Sequence, residues 1–263
     1  MEQEFSRDEL VACALSRDFK DGERAGAGAN LLVPRAALLL AHLHHGPNMR
    51  IMLVGGGWTN LFHMPVIQVY GTADHRPYYS SEYIRRHEEG FDRIETKKGC
   101  VDIFFFGGLQ IDRYGNLNLY GIGKDYKRLK VRGPGPIGLG KAATCVPRMY
   151  IYFTEHSKRR FAEHLDFMSV VGHGDGPDFR RKWKLPGGGP RWVATPLAIM
   201  DFEEETKRMR LKSVHPGVTV KDVIENTGFE LIIPKEVPTT DPPTKEELDI
   251  LRNRVDPAGL LRQ

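Results

Sequence analysis

Phe104-Phe105-Phe106 run apolar, without alternation, straight into Gly107-Gly108. A strand whose successive side chains are all apolar must be covered on both faces. Helices supply that cover when they connect parallel strands, so the run predicts an α/β fold on an open, largely parallel sheet with helices on both faces. The rest of the chain alternates short apolar runs with helical patterns in the same way. Ser6 with Glu9 forms a capping box opening a helix through Leu15. Arg24 to Gly28 reads as a strand entering a glycine turn, and Pro34 sits near the start of a helix from Arg35 to His44. Further strands are predicted at 50–54, 100–106, 149–153 and 191–196, and a helix over 156–167 with Lys158, Arg159 and Arg160 on its exposed face. Gly/Pro-rich 134–140 and 172–189 read as loops. Residues 1–233 are expected to form one α/β domain. Residues 234–263 add a Pro-rich linker and a helix opened by Thr244 and Glu247, whose Leu248, Leu251 and Val255 share a face that packs on the domain or on a partner.

Charge and composition exclude several classes of function. The net charge of +4 is small and the basic residues are interspersed with acids, which does not suggest nucleic acid. No apolar run approaches the roughly 20 residues that span a membrane, and the acidic start Met1-Glu2-Gln3-Glu4 lacks a signal-peptide pattern, pointing to the cytoplasm. Cys13, Cys100 and Cys145 are odd in number and widely spaced, so they read as small buried hydrophobes. His42, His44 and His45 lack zinc-site spacing, and no metal is expected.

Glycine turns carry the chemistry that remains, because glycine lets backbone amides approach an anion or a developing oxyanion. Gly26-x-Gly28 follows a strand and precedes a helix, but the third glycine of a dinucleotide fingerprint is missing. It reads either as a tight turn or as a phosphate-proximal one. Gly107-Gly108 ends the most apolar strand, where ligands of open α/β sheets gather. Gln110, Asp112, Asn116 and Asn118 follow, either fixing a ligand by hydrogen bonds or satisfying the loop around the turn Asp112-Arg113-Tyr114-Gly115-Asn116.

Several blocks together carry a family resemblance. Phe106-Gly107-Gly108-Leu109-Gln110-Ile111-Asp112-Arg113-Tyr114-Gly115-Asn116-Leu117-Asn118 resembles the GGxQxDxYGNxN segment of class I CoA-transferases, in particular the β subunits of the glutaconate type. His156 to Phe161, Asp166 to Gly176, His215 to Thr219, Glu225 to Leu231 and Val255-Asp256-Pro257 follow in the family's order. The resemblance implies the CoA-transferase (NagB/RpiA-like) fold. It also aligns Arg132-Gly133-Pro134-Gly135-Pro136 with the family's GSGGA loop, where Pro136 removes one N–H.

The informative departure lies at Pro47-Asn48 to Trp58. There the family carries a strand ending in a nucleophilic glutamate, and this chain has Val54-Gly55-Gly56-Gly57. None of these residues can form a glutamyl-CoA thioester. In that replacement the chain is similar to the β subunits of steroid ring-opening CoA-thioester hydrolases of the IpdAB type. That likeness implies an acyl-CoA substrate, CoA arriving as part of the substrate with no separate cofactor, and an α subunit, as an α2β2 heterotetramer, that brings the acid/base glutamate. It makes Val54, Gly55, Gly56, Gly107, Gly108, Gln110, Asp112, Asn116, Arg132, Gly133 and Gly135 the residues nearest substrate and CoA.

Overall fold

In the computed structural model, residues 5–28, 31–53, 74, 76, 81–82 and 101–263 are described. The chain divides into two compact units. The first comprises residues 1–94, 99–105 and 241–263, so the C-terminal helix belongs with the N-terminal segment. Its strands β1 (Arg24–Ala27), β2 (Arg50–Leu53) and β3 (Ile103–Phe106) are parallel, with β1 between the other two. The predicted run through Phe104-Phe105-Phe106 is thus a strand, and its three phenylalanines are buried. Gly26 owes its identity to this packing, since a Cβ there would lie 2.7 Å from the Phe104 ring. Helices α1 (Arg7–Ser16) and α2 (Leu32–His44) are buried over most of their length.

Two capping boxes hold the ends of the chain together. Ser6 Oγ accepts the Glu9 N–H at 3.1 Å while Glu9 Oε2 accepts the Ser6 N–H at 2.8 Å. Thr244 and Glu247 repeat the arrangement at the start of the helix Lys245–Ile250. Each glutamate is also gripped by an arginine from the other end: Arg252 donates to both Glu9 oxygens at 2.7 and 2.9 Å, and Arg17 to both Glu247 oxygens at 2.7 and 2.6 Å. Burial alone would raise these carboxyls, but the paired guanidiniums and cap N–H groups hold both below the usual carboxylate range. Past Ile250 the helix widens into a π turn over Leu251–Val255, and Leu248, Leu251 and Val255 are all buried.

The second unit comprises residues 95–98 and 106–240. β8 (Arg148–Tyr152) and β9 (Pro190–Ala194) are parallel, and β10 (Ala198–Phe202) and β11 (Met209–Val214) extend the sheet antiparallel. β9 stops at Ala194, short of the predicted Pro196, because proline has no N–H for the ladder and Thr195 turns the chain. His215 is buried between Thr240 Oγ1 and the Thr195 carbonyl, each at 2.9 Å. His156 bridges Thr195 and Thr227 and stacks on Phe161 at 4.0 Å, and burial pushes its pKa down to about 4. The predicted helix over 156–167 is not formed. Residues 157–161 make a turn, in which the Ser157 carbonyl accepts from Arg160 and Phe161 N–H groups and Phe161 bridges to Ile111. Glu155 collects Ser157, Arg159 and Arg160, which ties the cationic run to that turn. Among the described residues no helix is long and apolar enough to cross a membrane, and no cluster could hold a metal ion.

The cross-gripped caps generate a stability prediction. Arg17→Ala leaves the buried Glu247 carboxylate without its cation and should cost about 2 kcal/mol at neutral pH, read from the urea midpoint. A carboxyl held low stabilises the fold above its unfolded pKa, and that contribution is lost as pH falls through the native value. The gap between wild type and variant should therefore close in acid.

Candidate functional site

The candidate residues of the second unit fall in one local structure that begins where β3 ends. After Gly107-Gly108, β4 (Gln110–Ile111) turns back as β5 (Leu117–Asn118), pairing Gln110 with Asn118. A second hairpin follows, β6 (Gly121–Ile122) with β7 (Val131–Arg132). It leads into the Gly133–Gly138 loop.

Asp112 and Asn116 build the first turn. Asp112 Oδ1 accepts the N–H groups of Tyr114 and Asn116 at 2.9 and 3.0 Å, and its Oδ2 accepts Asn116 Nδ2 at 2.8 Å. Burial raises the Asp112 carboxyl, against the pull of these donors. Asn116 Oδ1 in turn accepts the N–H groups of Gly172 and Gly174 at 2.8 and 3.0 Å. Both side chains are thus committed to holding the loop.

Gln110 is committed only in part. Its Oε1 accepts Asn118 Nδ2 at 2.7 Å and the Asp166 N–H at 3.1 Å, while its Nε2 has no acceptor among the described residues. The Gln110 amide thus keeps an unused donor among the described residues. The Gly108 carbonyl faces Arg160 Nη1 at 3.4 Å, and a Cβ at Gly108 would stand 3.3 Å from the Asn118 carbonyl.

Asn118, the last of the polar residues singled out after Gly108, connects the two hairpins. It is fully buried, donates to Gln110 Oε1 and the Gly121 carbonyl, and accepts from the Tyr120 and Gly121 N–H groups. Asp166 also joins the group, accepting the Gly123 N–H at 2.8 Å. The signal for Asn118 was the last asparagine of the Tyr-Gly-Asn-Leu-Asn run. Asp166 lies far off in sequence and only the folded chain brings it here.

The glycine loop is tied to the base of the second hairpin. Gly133 N–H donates to the Tyr120 carbonyl at 2.8 Å and Gly135 N–H to the Leu119 carbonyl at 3.0 Å. Arg132 lies over the Tyr120 ring at 4.4 Å, so it is an exposed cation stacked on an aromatic. Ile137 holds φ at 48°, costly by about 1–2 kcal/mol for a β-branched residue, and is 72% exposed. Val54, Gly55 and Gly56 lie outside the described residues.

The two loop glycines are glycine for different reasons. A Cβ at Gly133 would stand 2.1 Å from the Leu119 carbonyl, whereas at Gly135 (φ 78°) nothing lies within 4 Å. Gly133→Ala should therefore cost about 3 kcal/mol or more and lower the melting temperature sharply. Gly135→Ala should cost about 1 kcal/mol. Equal losses in thermal denaturation would contradict this account of the loop.

Comparison with known proteins bears on the family and the fold. The chain is 34% identical to the B subunit of 3-oxoadipate CoA-transferase of Pseudomonas knackmussii over 248 residues, 94% of this chain and 92% of that one. It is 32% identical to the B subunit of glutaconate CoA-transferase of Acidaminococcus fermentans over 255 residues, 96% of this chain and 93% of that one. The crystal structure of that transferase superposes with a TM-score of 0.87 at 29% identity, covering 99% of this chain and 98% of that one. The IpdB subunit of the cholesterol ring-cleaving hydrolase of Rhodococcus jostii is 31% identical over 162 residues, 59% of each chain. The crystal structure of R. jostii IpdAB superposes with a TM-score of 0.80 at 24% identity, covering 99% and 98%. The relatives are themselves subunits of heteromeric enzymes. The Coenzyme A transferase profile matches residues 9–226, and with these relatives it makes the chain a member of the CoA-transferase family.

Proposed function

We propose that this chain is the β subunit of a heteromeric hydrolase that opens a ring of a steroid-derived cyclic keto- or enone-acyl-CoA, as an α2β2 heterotetramer with an α subunit that brings the acid/base carboxylate. The observation that carries the reading is Val54-Gly55-Gly56-Gly57 where the family's strand ends in its nucleophile. Ping-pong CoA exchange needs a carboxylate to accept first the acyl group and then CoA. Valine and glycine have no such atom. What remains is a set of donors suited to a thioester oxygen: the N–H groups of Gly107 and Gly108 and the Gln110 Nε2, none of which has an acceptor among the described residues.

The chemistry follows from those parts. A base on the partner takes a proton from water, and the water oxygen bonds to the ring ketone carbon. The bond from that carbon to the α-carbon of the thioester then breaks, its electron pair passing into a thioester enolate. Backbone and Gln110 donors stabilise the enolate oxygen, and protonation of the α-carbon returns the proton. The products are a carboxylate and an intact acyl-CoA. Removing one such oxyanion donor costs about 10²–10³ in rate, so this chain contributes to the transition state without supplying a nucleophile.

A second reading, an acyl-CoA:carboxylate CoA-transferase β subunit of the glutaconate or 3-oxoacid type, is favoured by the near-full-length similarity to the two transferase relatives. A non-catalytic scaffold subunit is the third. Turnover by the assembled heteromer in ¹⁸O-labelled water separates them. The hydrolase incorporates one ¹⁸O into the new carboxylate with no acyl acceptor present and keeps its CoA ester. A transferase turns over only when a carboxylate acceptor is added, and a scaffold leaves the rate to the partner alone.

A further inference from the structure

Residues 121–141 carry Lys124, Lys127, Arg128, Lys130, Arg132 and Lys141 against the single carboxylate of Asp125. Six cations less one anion leave +5, more than the +4 of the whole chain. Elsewhere arginines have found carboxylates, as in Arg24 with Asp102, Arg208 with Glu230 and Arg210 with Asp201. The hairpin's cations have not. Lys124, Lys127, Arg128, Lys130 and Arg132 are exposed, and none makes a salt bridge among the described residues. Asp125 is occupied in the tip, where its Oδ1 accepts the Lys127 N–H at 2.9 Å.

A run of like charges is usually only a solvated face, but this one is mounted on a fixed base. Asn118 holds Gly121, and the Gly133 and Gly135 N–H groups hold Tyr120 and Leu119, so the hairpin springs from the atoms that frame the glycine loop and Gln110. From that base the chain runs about five residues to its tip, at most about 15 Å even at the full rise of a strand, since only Gly121–Ile122 and Val131–Arg132 are paired. Coenzyme A has the matching polarity, with a near-neutral thioester at one end of a long arm and three phosphate groups at the other.

We propose that the β6–β7 hairpin seats the phosphates of CoA, with Lys124, Lys127 and Arg128 at its tip engaging the 3′-phosphate and diphosphate while the thioester reaches the glycines at its base. The proposal rests on the CoA-thioester reading of the site and adds the part of the substrate that the hairpin recognises. Phosphate is held by charge-assisted hydrogen bonds that weaken with salt where they are exposed.

The test is binding to the assembled heteromer, without turnover. Free CoA, 3′-dephospho-CoA and pantetheine are titrated against wild type and against the combined Lys124→Gln, Lys127→Gln, Arg128→Gln variant, at low and high salt. CoA affinity should fall about tenfold or more in the variant, dephospho-CoA less, and pantetheine within about twofold, with the salt dependence of CoA binding flattened. Melting temperature and sedimentation of the variant are followed in parallel, since exposed side chains should leave both unchanged. Unaltered CoA affinity and salt slope would overturn the proposal. So would a variant that sheds its partner yet binds CoA normally wherever it remains assembled, which would make the hairpin an acidic partner's docking face. Because free CoA is the probe, a heteromer that binds it through the hairpin yet opens no ring would count against the proposed reaction alone.

Discussion

One fully buried side chain, Asn118, sets the geometry on which the candidate site depends. An asparagine amide offers two donors and two acceptor positions, and all four are used here: toward Gln110 Oε1 and the Gly121 carbonyl, and from the Tyr120 and Gly121 N–H groups. An aspartate would set a second acceptor against Gln110 Oε1 and the Gly121 carbonyl, and a leucine would strand four buried partners at a cost of about 1–3 kcal/mol each. The β4–β5 pair and the base of the cationic hairpin are therefore joined through a single residue, and the glycine loop is tied to the neighbouring Leu119 and Tyr120 carbonyls. The Asp112–Asn116 turn does the same for the segment around Gly172 and Gly174.

Much of the fold could be read in the sequence wherever local chemistry decides it. The apolar run to Phe106, the Ser6 and Thr244 capping boxes and the apolar face of the last helix all follow from patterns within a few residues. The 156–167 segment was misread because its cationic spacing suits a helix, whereas Glu155 and a bridge to Ile111 fold it as a turn. β10 and β11 were missed because Asp201, Arg210 and Lys212 break the apolar pattern, and on an antiparallel edge such residues pair across strands, as Asp201 does with Arg210. At the site, the glycines and Gln110 stood out for their residue type. The turn built by Asp112 was one of the two readings its local sequence offered, whereas the hold of Asn116 on Gly172 and Gly174 and the arrival of Asp166 depend on contacts that only the folded chain makes.

In the proposed reading, one scaffold can carry different reactions because the binding elements and the nucleophile position occupy separate segments of the sequence. Backbone donors, the glycine loop and the turn network lie within residues 106–174. In the proposed reading, the position that distinguishes covalent exchange from hydrolysis lies elsewhere in the sequence, at Val54-Gly55-Gly56-Gly57. Losing a glutamate there need not disturb how a thioester is held, and it leaves an enolate or oxyanion as the charge to be stabilised.

The central claim is that no part of the substrate is ever covalently carried on this chain. The direct measurement is to incubate the heteromer with its acyl-CoA, quench with borohydride or hydroxylamine, and weigh the chain by mass spectrometry. The account predicts an unmodified mass while ring opening proceeds. A CoA-sized adduct, or its trapped derivative, on any carboxylate of this chain would contradict it.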